Sequence, residues 1–155
     1  MVRQLPISPI ASSKAVTKVM IANKAKDTKP ELKLRKFLCD NGYRGYRVNW
    51  KKAHGRPDVC YPGKKLAIFV HGCFWHRCQK CAKSLPKCNS EFWKKKFELN
   101  VLRDSTKKTL LELHGWRVLE LWECEILKED FSTVLRFFSN YSAKDKNKND
   151  LEISP

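Results

Sequence analysis

Acidic residues are scarce in this chain: sixteen Asp and Glu stand against thirty-two Lys and Arg, a formal charge of +16. That imbalance argues against an acidic or neutral partner and for a polyanion such as nucleic acid. Long apolar runs are missing too. A membrane helix needs roughly 18 apolar residues, whereas the longest run here, Leu66 to Val70, has the length of a strand. No hydrophobic signal-peptide segment marks the N-terminus, so a cytoplasmic location and no membrane contact are expected. No segment repeats. Histidine is rare, with four in the chain, and two of these are His71 and His76.

What is present is enough for a core. The 155 residues are 42% hydrophobic and include five tryptophans, which favours one globular domain over disorder. Residues 1–13 read as a flexible arm, and 14–26 as a short basic helix. Asp27 or Thr28 with Pro30 marks the start of a helix carrying Leu34, Phe37 and Leu38 at helical spacing, stopped by Asn41-Gly42. Glu31 falls in its first turn, where a carboxylate suits the helix dipole. Tyr43 to Trp50 has strand character. Asp58 to Tyr61 and Leu66 to Val70 flank a Pro-Gly turn as a hairpin, and the second strand, apolar on both faces, should be central. A long helix opens at Asn89 or Ser90, has Phe92, Phe97, Val101, Leu110, Leu111 and Leu113 as its apolar positions, and stops at Gly115. Trp116 to Trp122 is a further strand, and a last helix spans about 130–139 with Val134, Leu135, Phe137 and Phe138. From 142 the chain is polar and reads as a disordered tail. This order gives an α/β layer architecture.

The chemistry concentrates between Pro57 and Cys81. Cys73, Cys78 and Cys81 form C-x4-C-x2-C, and Cys124 ends a distant strand. Four thiolates would close a tetrahedral, structural Zn²⁺ site, with Cys88 and His76 as competing ligands. Cys39 and Cys60, by contrast, read as free buried cysteines. Asp58 begins one hairpin strand, and Val70 with His71 ends the other. A carboxylate with two imidazoles beside a metal-stapled loop suits a hard divalent ion and general acid–base chemistry. Each residue also has a plainer reading: a turn former for Asp58, a hydrogen-bonded strand end for His71. For Phe74-Trp75, spacing alone favours core packing over stacking on bases.

The block L-A-I-F-V-H-G-C-F-W-H is preceded by G-R-P-D and followed by E-F-W. With K-D-T-K-P-E-L upstream and G-W-R-V-L-E-L-W-E-C downstream, it resembles the very short patch repair (Vsr) endonuclease family over roughly residues 14–138. The resemblance implies a restriction-endonuclease-like fold, a mixed central sheet flanked by helices, in a domain of about residues 14–140 with a tail at 141–155. It implies Mg²⁺-dependent nicking of one strand of duplex DNA beside a T:G mismatch that arises from 5-methylcytosine deamination. By resemblance, Asp58 and the Val70 carbonyl bind Mg²⁺, His71 and His76 are catalytic with His76 as base, and Glu31 holds metal-bound waters. Asp104 matches an acidic position that orients a histidine, and Phe74, Trp75 and Trp93 match DNA-intercalating aromatics. The structural zinc falls to Cys73, Cys78, Cys81 and Cys124, with Cys78 where the family's known form has a histidine. A monomer is expected, and a MutL-type repair partner is left open. The alternatives are a zinc-stapled DNA-binding module that does not cut, and a restriction-type nuclease of related fold.

Overall fold

Alternation of apolar residues sets the sheet. In the computed structural model, which describes residues 26–151 continuously and 13, 14, 17, 18, 21 and 24 before them, four strands form one mixed sheet. Strands β1 (Arg47–Val48), β2 (Val59–Tyr61), β3 (Leu66–His71) and β4 (Arg117–Trp122) lie in the order β1-β2-β3-β4. β1–β2 and β2–β3 are antiparallel, while β3–β4 is parallel, with Phe69 opposite Glu120 and His71 opposite Trp122. The strand that is apolar on both faces, β3, is internal as expected. The strand expected from Tyr43 to Trp50 shrinks to two residues at the edge, both exposed. An edge position supplies only one hydrogen-bonding neighbour and no second face to bury. Among the described residues, no helix is long and apolar enough to cross a membrane.

Because successive side chains of a strand point to opposite faces, the sheet has two distinct sides. One side carries Val59, Tyr61, Leu66, Ile68, Leu119 and Leu121. It is covered by α1 (Lys29–Asp40), α3 (Glu123–Leu127) and α4 (Ser132–Leu151) through Leu34, Leu38, Ile126, Val134, Phe137 and Phe138. Phe37 stacks on Phe131 at 4.0 Å. The other side carries Ala67, Phe69 and Val118 beneath Leu111 of α2 (Ser90–Leu113), with Trp50 and Trp116 alongside.

Three helix expectations are corrected. In α2, Val101, Leu110 and Leu113 are exposed, although their apolar character suggests burial. The buried face runs through Phe97, Asn100 and Leu111, because what this helix covers is partly a polar site and not only a core. In α4, Leu135 is exposed while Val134, Phe137 and Phe138 are buried. The helix also continues to Leu151, past the expected end near 139 and into the stretch expected to be a disordered tail. No glycine or proline interrupts residues 132–151. The arm expected at 1–13 and the basic helix at 14–26 lie largely outside the described residues, as do residues 152–155.

Candidate active site

β3 and β4 end side by side, and the segment after β3 folds back across them in successive turns. His76 N–H donates to Gly72, Cys78 N–H to Cys73 and Ala82 N–H to Cys78. This coiling brings Cys73, Cys78 and Cys81 together, and the start of α3 supplies Cys124. One sulfur from each of the four lies within 4.8 Å of the others. A tetrahedral Zn²⁺ with Zn–S bonds near 2.3 Å needs sulfurs about 3.8 Å apart; Cys78 Sγ and Cys124 Sγ are separated by 3.9 Å. The donor set therefore fits a thiophilic ion. Burial works against the Cys78 thiolate, but hydrogen bonds from the Cys81 and Lys80 backbone outweigh it and lower the thiol's pKa. Cys73 moves the other way, its pKa raised mainly by burial. The competing ligands are set aside by position: Cys88 is exposed and outside the cluster, and His76 is engaged elsewhere. Cys60 is buried, as its apolar strand suggests, and Cys39 shares a 3.4 Å contact with the Tyr46 hydroxyl.

On the α2 side of the sheet a cavity of about 830 Å³ opens between β3, the cysteine loop, α2 and the start of α1. It gathers Glu31, Asp58, Val70, His71, His76 and Asp104, together with the aromatics Phe74, Trp75 and Trp93. Asp58 immediately precedes β2, and its Oδ2 accepts the Val70 N–H at 2.8 Å. The contact made by Val70 to this carboxylate is thus its amide, whereas the resemblance assigns a role to its carbonyl. Burial, partly offset by that hydrogen bond, pushes the Asp58 carboxyl up to about 6, and the negative charge of Glu31 adds to the rise. A carboxylate so placed gains from a cation that would keep it ionised.

The two histidines face each other with ring centres 4.5 Å apart, and each is held by an acid from a different element. His76 Nδ1 is hydrogen-bonded to Asp104 Oδ2 on α2. Burial raises the Asp104 pKa, yet the His76 hydrogen bond and charge outweigh it, and the net shift is downward. An ionised acid on Nδ1 favours the tautomer with its proton there, leaving Nε2 as acceptor. His71, almost fully buried, contacts Glu120 Oε1 through Nε2 at 3.2 Å, and Lys108 Nζ holds the other Glu120 oxygen at 2.8 Å. His71, chiefly, and Lys108 keep the Glu120 carboxyl down at about 2 against the effect of burial.

Glu120 escapes sequence reasoning. The only available signal is its parity: in R-V-L-E-L-W it shares a face with Val118 and Trp122, so a charged side chain there points at whatever covers that face. Glu31 sits in the first turn of its helix, as the pattern suggests, but its carboxylate is fully engaged. It accepts the Asp27 N–H at 3.0 Å, the Thr28 hydroxyl at 2.7 Å and Arg35 Nη2 at 3.0 Å.

The aromatics form one cluster and none is fully buried. Phe74 meets Trp75, Trp93 and Phe97 edge-on at 5.2, 5.7 and 5.1 Å. Lys96 lies over the rings of Trp75 and Trp93, 5.5 Å from each centre. Asn100 Nδ2 donates to the Trp75 carbonyl at 3.1 Å, which pins the loop to α2.

Comparison with known proteins identifies the family. Residues 10–83 match the family model described as DNA mismatch endonuclease Vsr. The type II nicking enzyme V.NmeAIP of Neisseria meningitidis serogroup A is 44% identical over 110 residues, covering 70% of this chain and 76% of that protein. The chain belongs to the Vsr endonuclease family. The type II nicking enzyme V.XorIIP of Xanthomonas oryzae is 41% identical over 103 residues, 66% of this chain and 75% of that protein. The DNA mismatch endonuclease Vsr of Escherichia coli is 37% identical over 110 residues, 71% of this chain and 70% of that one. As a Vsr-family member the chain is a DNA endonuclease, and the basic composition that pointed to a polyanion has its partner in DNA.

Proposed function

We propose that this endonuclease uses Mg²⁺ to nick one strand of duplex DNA beside a T:G mismatch left by deamination of 5-methylcytosine. The observation that carries the reading is the shared cavity. One space holds a buried carboxylate with a raised pKa, two histidines each paired with an acid, and an aromatic cluster. Its sheet, with helices on both sides, supports a restriction-endonuclease-like fold.

Asp58 and the Val70 carbonyl would hold the Mg²⁺, with the fixed charge of Glu31 favouring a divalent ion over a monovalent one. Such an ion would supply Lewis-acid polarisation to the phosphate and the attacking water. His76, its Nδ1 fixed by Asp104, accepts the proton of the attacking water at Nε2. His71, held by Glu120 and packed beside the His76 ring, sets the position of the base and adds a second proton donor or acceptor. Phe74, Trp75 and Trp93 enter the base stack. Opening a step costs a few kcal/mol, and less at a mispair, so insertion itself discriminates. The four cysteines would hold Zn²⁺ with no open coordination position, and the role of that ion is to fix the loop carrying His76 and Trp75.

A duplex carrying one T:G pair and its T:A counterpart, incubated with and without Mg²⁺, test this directly. Nicking of the T:G strand alone, abolished by Asp58→Ala with binding retained, is the expected result. Equal cutting of both duplexes would favour a restriction-type nuclease. Binding with no cutting by the unaltered protein would favour the non-cleaving module.

A further inference from the structure

Lys107 stands apart on the polar face that α2 turns toward the sheet. Asn100, Arg103, Asp104 and Lys107 recur at spacings of three and four, so they share one side of the helix. Arg103 Nη2 donates to Asn100 Oδ1 at 3.0 Å, Asn100 holds Trp75, and Asp104 holds His76. The next residue, Lys108, is bound to Glu120. Lys107 makes no hydrogen bond or ion pair with any described residue, although Asp58 and Asp104 line the same cavity.

Its position is nonetheless fixed. The Lys107 stem passes directly over Gly55, where an added Cβ would lie 2.7 Å from Lys107 Cγ and 2.8 Å from Lys107 Cβ. Gly55 has a φ of +72°, which disfavours a side chain at that position on its own account. Further out, Lys107 Nζ lies 5.9 Å from the centre of the Phe69 ring. The site thus holds a half-buried ammonium with no direct hydrogen bond or ion pair to a described carboxylate. Burial, and then the charge of Arg103, lower the lysine's pKa and outweigh the more distant charges of Asp104 and Asp58, which raise it. An anion in direct contact with the ammonium would offset part of the cost of burial.

We propose that Lys107 is a catalytic residue of the nicking reaction, its ammonium contacting the non-bridging oxygens of the scissile phosphate. The assignment rests on reading the cavity as the nicking centre. As the bond from the water oxygen to phosphorus forms and the bond to the departing sugar oxygen breaks, negative charge builds on the non-bridging oxygens. The water proton passes to His76 Nε2, and the departing oxygen takes a proton from solvent. Lys107 keeps its own proton throughout and supplies positive charge already in position. Charge arranged in advance is most effective at a desolvated centre, because nothing has to reorganise as the reaction proceeds.

Lys107→Met keeps the stem against Gly55 and Phe69 and removes the charge, Lys107→Gln is a second neutral variant, and Lys107→Arg retains the charge. Affinity for a duplex with one T:G pair is measured in EDTA across a range of NaCl, and single-turnover nicking is measured with Mg²⁺. For both neutral variants the slope of log affinity against log salt should fall by about one phosphate contact. Their nicking should slow by about 10²-fold or more, with Lys107→Arg recovering most of the slope and part of the rate. An unchanged slope in both neutral variants overturns the contact. A reduced slope with nicking within about threefold of the unaltered enzyme overturns its placement at the scissile phosphate. The slope is read without divalent metal or cleavage, so it judges Lys107 even where the unaltered protein fails to nick T:G DNA, an outcome that would count against the proposed function alone.

Discussion

Cys78 Sγ and Cys124 Sγ lie 3.9 Å apart although they are 46 positions apart in the chain. That contact ties the loop carrying the second histidine and the aromatic pair to the junction of β4 and α3. Glu123 Oε2, accepting the Cys73 N–H at 3.0 Å, and the Lys80–Glu125 ion pair reinforce the same seam. No cysteine lines the cavity, so an ion there acts through the loop.

Cys124→Ser should therefore lose metal before it loses fold. The purified protein is expected to carry one zinc per chain that survives removal of Mg²⁺, and the variant to bind it more than about 100-fold more weakly. Elemental analysis with a zinc-chelator titration checks this. Full zinc content in the variant would remove the four-thiolate site.

Asp58→Asn separates burial from function. The buried carboxyl has its pKa raised from 3.8 to about 6, so ionising it is harder in the folded chain than in the unfolded one. The sign follows: below about pH 4 the carboxyl is neutral in both states and costs nothing, and the penalty grows until pH passes 6. The metal-free variant should be more stable than the unaltered protein by up to about 3 kcal/mol at pH 8. The two should converge near pH 4. Denaturant melts in EDTA at both pH values measure it. A variant less stable at pH 8 would show that the carboxylate is not strained by burial.

Glu120→Ala removes the group that holds His71 from β4. Binding of DNA should change little, and single-turnover nicking should fall by about 10- to 100-fold, the scale of a misplaced catalytic group. Lys108→Met, which loosens Glu120 without removing it, should do less. Should Glu120→Ala nick at the rate of the unaltered enzyme, His71 would be positioned by its packing against Trp122 and Phe69 alone.

Trp75→Ala tests the wedge. Stacking on a base is worth about 1–3 kcal/mol by alanine substitution, so affinity for T:G duplex should fall about tenfold or more. Affinity for T:A duplex should fall less, since insertion there is costlier. Fluorescence of a 2-aminopurine placed next to the mismatch reports whether the ring enters. An equal loss on both duplexes would assign Trp75 to packing within its aromatic cluster.

What was legible in the sequence was local. β3 announces itself as an internal strand because both its faces are apolar. Thr28 and Pro30 mark the start of α1, and Asn89-Ser90 that of α2. Cys73, Cys78 and Cys81 point to a metal-binding cluster because three thiols fall within nine residues among polar neighbours. Cys124, Asp58 and the histidines could be named with them, chiefly through resemblance to a family. The exposed face of α2 was misjudged, since a hydrophobic pattern finds a core and this helix also covers a polar site. Val101, Leu110 and Leu113 point to solvent, while Asn100, Asp104 and Lys107 point inward.

Pairing across elements was decided by tertiary structure alone. Glu120 meets His71 because the parallel register sets β4 beside β3, and Asp104 meets His76 because α2 crosses over the cysteine loop. Lys107, its stem against Gly55 and its ammonium over Phe69, makes no hydrogen bond or ion pair among the described residues. The sequence by itself determined the residue types able to bind metal and move protons. Which acid holds which histidine, and which cation is left for DNA, depends on distances between segments far apart in the chain, and only the packing of helix on sheet sets those.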